Sequence, residues 1–226
     1  MVVADVSQPT GGLPVELTSF IGRRHELAEA RKLLSASRLL TLTGAGGVGK
    51  TRLSIRIAEQ LRRTFPDGVY RVELDALHDP SLLAQSVAAA FGLRDASVEP
   101  AARLAEYLEG KRLLLVLDNC EHLVDACAMF VGKLLAAAPD LRVLATSRHV
   151  LGIAGEQTMP VPPLTVPDDT DRANGSEAVD LFADRAAAVV PGFTVDEGNR
   201  RQVVRICRRL DGIPLAIELA AAWVRT

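Results

Sequence analysis

The sequence predicts an α/β fold: a three-layer sandwich around a mainly parallel five-stranded sheet, followed by the start of a small helical domain. Two observations carry this. Between residues 38 and 164, short apolar runs alternate with amphipathic stretches, the order that builds a parallel sheet covered by helices. After residue 176 only helical patterns remain, which separates a second unit from the first.

The elements follow in order. Residues 1–14 hold Gly, Pro, Ser and Thr without periodicity and read as a flexible arm. "GRRHELAEARKLLSA" (22–36) places Leu27, Ala30 and Leu33/Leu34 on one helical face. "RLLTLT" (38–43) is a short buried strand, and a helix begins near Lys50 with Leu53, Ile57 and Leu61 on one side. "FPDG" (65–68) is a turn, and "VYRVEL" (69–74) alternates like a strand. Helices are expected near 80–91 and 99–109. "RLLLVLD" (112–118) is the continuous apolar run of a central parallel strand, followed by a helix over 121–137. "LRVLATSR" (141–148) is a further strand, and the prolines of "QTMPVPPL" (157–164) place the last one at an edge. "TVPDDTDRANGSE" (165–177) is polar and reads as a linker. Helices near 176–189, 196–210 and 213–225 complete the chain. The predicted units are the arm (1–14), an α/β domain (15–165) and a helical subdomain (166–226).

Composition narrows the function classes. At 226 residues and a formal net charge of −2, the chain offers no global attraction to nucleic acid or an anionic membrane. It shows no signal peptide and no apolar run long enough for a membrane span, so a cytoplasmic protein is expected. Cys120 and Cys127, read as sharing a helix, would stand about 10 Å apart along its axis, too far for a disulfide. Cys120, His122 and Cys127 do not share a helical face, so no zinc site is expected. The basic stretch "RRQVVRICRRL" (200–210) places Arg201, Arg205, Arg208 and Arg209 on one face. Without an aromatic platform or a recognition-helix unit, this reads as a solvated or interdomain face.

The chemistry concentrates in "TLTGAGGVGKTRLS" (41–54), which fits two patterns. Gly44, Gly46 and Gly49 spell G-x-G-x-x-G, the dinucleotide fingerprint, with Glu73 near the end of the next strand as the acid for a ribose. Gly44, Gly49, Lys50 and Thr51 spell G-x-x-x-x-G-K-S/T, the Walker A loop. Lys50 and Thr51 decide between them. A Walker loop wraps backbone N–H groups around a phosphate at a helix N-terminus, so Gly46, Gly47, Val48 and Arg52 join the phosphate-binding set. Its lysine then bridges phosphates and its hydroxyl ligates Mg²⁺. A dinucleotide fold needs neither group. Asp118 ends a strand expected beside the phosphate-loop strand, where a carboxylate holds Mg²⁺ through water. The alternative for Asp118 is a plain strand-ending or helix-capping acid. The fold is therefore expected to be a P-loop NTPase sandwich.

Five stretches in order carry a further resemblance: "FIGRRHEL" (20–27), "GAGGVGKT" (44–51), "LLLVLDNCEHL" (113–123), "RVLATSR" (142–148) and "LDGIPLAIELAA" (210–221). The chain resembles the signal-transduction (STAND) ATPases of the AP-ATPase or NB-ARC type. In particular it is similar to the ATPase module of actinobacterial AfsR and large LuxR-type regulators. The resemblance implies that Phe20, Ile21 and Gly22 lie along an adenine, with Pro214 packed on its other side. It implies that Arg148 senses the terminal phosphate, as an always-charged guanidinium suits. Phe20 and Ile21 as a helix staple, Pro214 as a helix-starting proline, and Arg148 as a solvent-facing strand end remain the structural alternatives. The resemblance also implies ADP or ATP with Mg²⁺ as ligand, flanking regulatory or DNA-binding domains as partners, and a nucleotide-dependent oligomer.

The sequence departs from that pattern. Arg24 stands where many members have Glu, and Glu26 comes two places later. Asn119 replaces the second acid after the strand, and an amide takes no proton. Glu121 is the substitute candidate for activating water, or else a first-turn acid. Slow or partner-dependent hydrolysis is therefore expected. The chain stops after the Gly-x-Pro helix, where members continue, so a fragment or a short relative is expected. The competing readings are a standalone NTPase or small-molecule P-loop kinase, and a DNA-binding regulator acting through its basic helix.

Overall fold

The computed structural model describes residues 12–93, 99–167 and 176–224. Most of the predicted arm and the middle of the predicted linker lie outside the described residues.

Five strands form one parallel sheet: β1 (Leu39–Thr43), β2 (Val69–Glu73), β3 (Leu114–Asp118), β4 (Arg142–Ser147) and β5 (Glu156–Pro160). The order across the sheet is β2-β3-β4-β1-β5. Strand β3 is buried at every position because both sheet faces are covered. Leu114 and Val116 face a core that includes Leu34, Leu53 and Ile57, from α1 (Arg24–Ala36) and α2 (Lys50–Leu61). Leu115 and Leu117 face the opposite core, with Val87, Leu104 and Val131 from α3 (Leu83–Ala90), α4 (Pro100–Leu108) and α5 (Val124–Ala137). Period-2 alternation in the strand thus feeds two helical layers.

Beyond the sheet, α6 (Glu177–Val189), α7 (Arg200–Arg209) and α8 (Pro214–Ala222) share a third core built on Phe182, Val203, Cys207 and Ile217. Ser176 caps α6 by accepting from the Val179 N–H. Pro214 opens α8, where its missing N–H costs nothing. Ile21 packs into this helical core from the N-terminal side of the chain.

Several sequence expectations need correction. Strand β3 does not lie beside β1, because β4 intervenes. Strand β2 is at the far edge from β1, so Glu73 cannot serve a ribose at the phosphate loop. Its carboxylate pairs with Arg71 instead. The helix expected from residue 121 starts at Val124, after a 3₁₀ turn over Cys120–His122. Cys120 Sγ donates to the Leu117 carbonyl at 3.5 Å. All three cysteines are free and buried. The His122 ring bonds the Leu77 carbonyl at 2.8 Å, and no metal-ligating cluster of three occurs among the described residues. On α7, Arg201, Arg205 and Arg209 are exposed, but Arg208 turns back to donate to the Pro167 carbonyl. Among the described residues no helix is long and apolar enough to cross a membrane.

Candidate functional site

At the C-terminal edge of the sheet, the chain leaves β1 and wraps through Gly44–Gly49 into α2. This is the crevice position where open α/β sheets hold ligands. A cavity of about 380 Å³ opens there, within the usual range for small-molecule sites. One wall is the loop itself, from Gly46 through Arg52. The other combines Phe20, Ile21 and Arg23 with Pro214, Leu215 and Glu218 of α8. Asn119, Glu121, Thr146 and Arg148 close the end.

The loop is set for an anion. Gly49 caps α2 in the left-handed region, and the N-terminus of α2 faces the cavity. Lys50 is largely buried and donates to the Gly44 and Ala45 carbonyls at 2.9 and 3.1 Å. Burial lowers its pKa, and the nearby Glu121 carboxylate opposes that shift. An ammonium held among its own loop carbonyls has exchangeable partners, so phosphate oxygens can replace them.

Asp118 sits beneath the loop, 1% exposed. Its Oδ1 accepts from the Thr51 hydroxyl at 2.8 Å and from the Thr146 hydroxyl at 2.6 Å. The intervening β4 thus contributes Thr146, and α2 carries Thr51 across to reach β3. Oδ2 is taken by Arg71 of β2 at 2.5 Å. Thr51 and Asp118 place a hydroxyl and a carboxylate side by side next to the phosphate loop. Hard oxygen donors of this kind suit Mg²⁺, which takes few protein ligands and fills the rest with phosphate and water.

Glu121 points into the cavity and accepts from Arg148 Nε at 3.1 Å. The Asn119 amide, turned so that its nitrogen faces Glu121, donates to both carboxylate oxygens at 3.0 Å. The candidate base and the candidate phosphate sensor are therefore paired with each other.

The two walls touch directly. The Leu215 N–H donates to the Gly47 carbonyl at 3.2 Å. Gly47 has φ +79°, and a Cβ there would stand 3.1 Å from that of Leu215, so the position favours glycine and strains any other residue. Glu218 accepts from Arg52 at 3.2 Å and from Arg185 at 3.0 Å.

Of the residues named from sequence, Phe20, Ile21, Gly46, Gly47, Val48, Gly49, Lys50, Thr51, Arg52, Glu121, Arg148 and Pro214 line this one cavity. Gly22, Gly44 and Asp118 do not. Gly22 lies against α6, where a Cβ would stand 2.5 Å from Glu177. Gly44 follows β1 and opens the loop, its carbonyl accepting from Lys50. Arg52 lines the cavity but spends its guanidinium on Glu218 and the Thr18 and Ser19 carbonyls.

Sequence reasoning missed Arg23, Thr146, Leu215 and Glu218. Arg23 is 4% exposed, donates to Glu26 at 2.7 Å and reaches the Val48 carbonyl at 3.0 Å. The shifted Glu26 was its signal, since a glutamate three residues on can hold an arginine at a helix start.

A parallel sheet in this strand order, with its phosphate loop and buried strand-end aspartate, defines a P-loop ATPase domain. The chain belongs to the AAA domain family, whose model matches residues 32–153, more than half of its length. A protein of Mycobacterium tuberculosis named as an HTH-type transcriptional regulator is 50% identical over 199 residues, covering 87% of this chain and 21% of its own. The regulatory protein AfsR of Streptomyces griseus is 29% identical over 225 residues, covering 93% of this chain and 21% of its own. A signal transduction ATPase with numerous domains and a tetratricopeptide repeat sensor, from Pyrococcus horikoshii, shares the fold with a TM-score of 0.63. That match is 18% identical over 96% of this chain and 32% of the other. The chain is thus a P-loop ATPase module resembling that of AfsR-type regulators, and it spans about a fifth of the length of the two regulators described.

Proposed function

We propose that this chain is the adenine-nucleotide switch of a signalling or transcription-regulatory ATPase. It binds ADP or ATP with Mg²⁺ in the cleft between the phosphate loop and α8. The observation that carries the reading is the shared cavity: loop residues around Lys50 and helical residues around Pro214 line one space and bond each other at Gly47 and Leu215. A ligand filling that space touches both units, and so biases how they sit together. The division at residues 15–165 and 166–226 belongs to this reading.

Residue roles follow from placement. Lys50 and the loop N–H groups hold the phosphates. Thr51 and Asp118 hold Mg²⁺, which supplies charge neutralisation on the phosphate oxygens. Phe20, Ile21 and Pro214 flank the base, and Arg23 fixes the segment that carries the first two. Arg148 reads the terminal phosphate. Hydrolysis is slow or partner-dependent, because Asn119 takes no proton and Glu121 is engaged by Arg148. The named relatives suggest that the module works beside a DNA-binding part, whose accessibility the nucleotide controls.

Calorimetric titration with ADP and with ATP, each with Mg²⁺, tests the reading. Micromolar or tighter affinity is expected, lost on Lys50→Ala. A wild-type protein that takes up neither nucleotide overturns it. Identical hydrogen-exchange protection of α8 in the apo, ADP and ATP forms overturns the switch while leaving the site, because a ligand that binds two conformations equally shifts no equilibrium.

A further inference from the structure

Asp118 already has a cation. The Arg71 guanidinium lies 2.5 Å from Oδ2, and the two side chains are 12% and 2% exposed. Oδ1 is occupied by two hydroxyl donors, so both carboxylate oxygens are bonded. Arg71 comes from the edge strand β2, two residues before Glu73, which braces it at 3.1 Å. Its Nε is buried without a hydrogen-bond partner. Leaving a buried guanidinium N–H unpaired is costly, so the Asp118 contact must hold the side chain against that cost. The neighbouring carboxylate raises the Arg71 pKa against the effect of burial, and the group stays charged.

In the proposed site Asp118 is the carboxylate that holds Mg²⁺. A metal held through a carboxylate gains mostly from that charge. A guanidinium in contact with the same carboxylate cancels most of it at the distance of the metal. We propose that Arg71 is a positioning residue that stands in for the metal's charge at Asp118, so that nucleotide binding here is only weakly tied to Mg²⁺. This rests on the nucleotide reading above. On it, the module stays loaded when free Mg²⁺ falls, and affinity comes mainly from Lys50, the loop N–H groups and the cleft walls.

The test is the ratio of ADP dissociation constants in excess EDTA and in Mg²⁺, measured by calorimetry on wild type, Arg71→Gln and Arg71→Lys. The wild-type ratio is expected to stay within about threefold, and Arg71→Gln to raise it by about tenfold or more, as an uncompensated carboxylate recovers its pull on the metal. Arg71→Lys restores the charge and brings the ratio back toward wild type. Unchanged coupling in Arg71→Gln overturns the proposal, as does a lysine variant that behaves like glutamine. If Arg71→Gln fails to fold, wild type still decides, because a ratio above about thirtyfold already contradicts a neutralised carboxylate. ADP binding with strong Mg²⁺ coupling sinks this inference alone. Absence of ADP binding in both conditions sinks the nucleotide reading and this inference with it.

Discussion

One wall of the cleft comes from consecutive residues, Gly46 to Arg52, while the other joins Arg23 to Pro214, 191 positions later (214 − 23). The first wall is secured locally. Lys50 bonds carbonyls five and six residues away, and the loop feeds straight into α2. The second wall exists only if α6, α7 and α8 pack around Phe182 and Ile217 and then dock on the loop. Its polar ties to the body include Leu215 to Gly47, Glu218 to Arg52, Arg23 to the Val48 carbonyl, and Arg52 to the Thr18 and Ser19 carbonyls. One wall is built within a single stretch of chain, and the other is assembled from distant segments by long-range contacts. The assembled wall is the part whose position a ligand can change.

The contrast can be broken from either side. The largest effect is expected on the phosphate side. Lys50→Ala removes a charge-assisted contact and should weaken nucleotide affinity by about 10- to 100-fold. Its melting temperature should hardly change, since Lys50 bonds only its own loop; calorimetry and thermal melting together check this. Next is Gly47→Ala. Left-handed backbone costs a residue with Cβ about 1–2 kcal/mol, and the new methyl crowds Leu215. Denaturant titration should show a loss of that order, and hydrogen exchange should quicken in α8 while β1 and β3 stay protected.

A smaller loss, about 1 kcal/mol, is expected for Ser176→Ala, which uncaps α6. Hydrogen exchange should localise it to the first turn of that helix, and loss of protection in the sheet would mean that the two regions fold as one unit. The smallest effect belongs to Glu218→Gln. Its ion pairs are partly exposed and worth about 0–1 kcal/mol. Limited proteolysis of the ligand-free protein should show α8 released sooner, with nucleotide affinity falling by a few-fold at most. A larger fall would make Glu218 a ligand contact rather than a tie.

Reading along the sequence reached the loop wall almost completely, because a phosphate grip is written in adjacent residues. The strands were legible too: β1, β3 and β4 as apolar runs, β2 by alternation and β5 by its edge prolines. Strand order was not: nothing in β4 announces that it inserts between β1 and β3, and Thr146 therefore went unnoticed. The 3₁₀ break after Asp118 was hidden too. Asn119 adopts φ +67°, a choice its side chain tolerates but does not announce. That break turns Glu121 toward the cavity.

The sequence by itself determined the class of fold and the phosphate loop, since both depend on periodicity and on residues that are neighbours in the chain. Only the tertiary structure decided which side chains meet across the cleft. Arg71 on Asp118, Arg23 on Val48, Arg148 on Glu121 and Leu215 on Gly47 join residues from 25 to 168 positions apart (48 − 23; 215 − 47). Such pairs depend on strand order and on how the helical layer docks, and those follow from the whole core finding its packing rather than from any one segment.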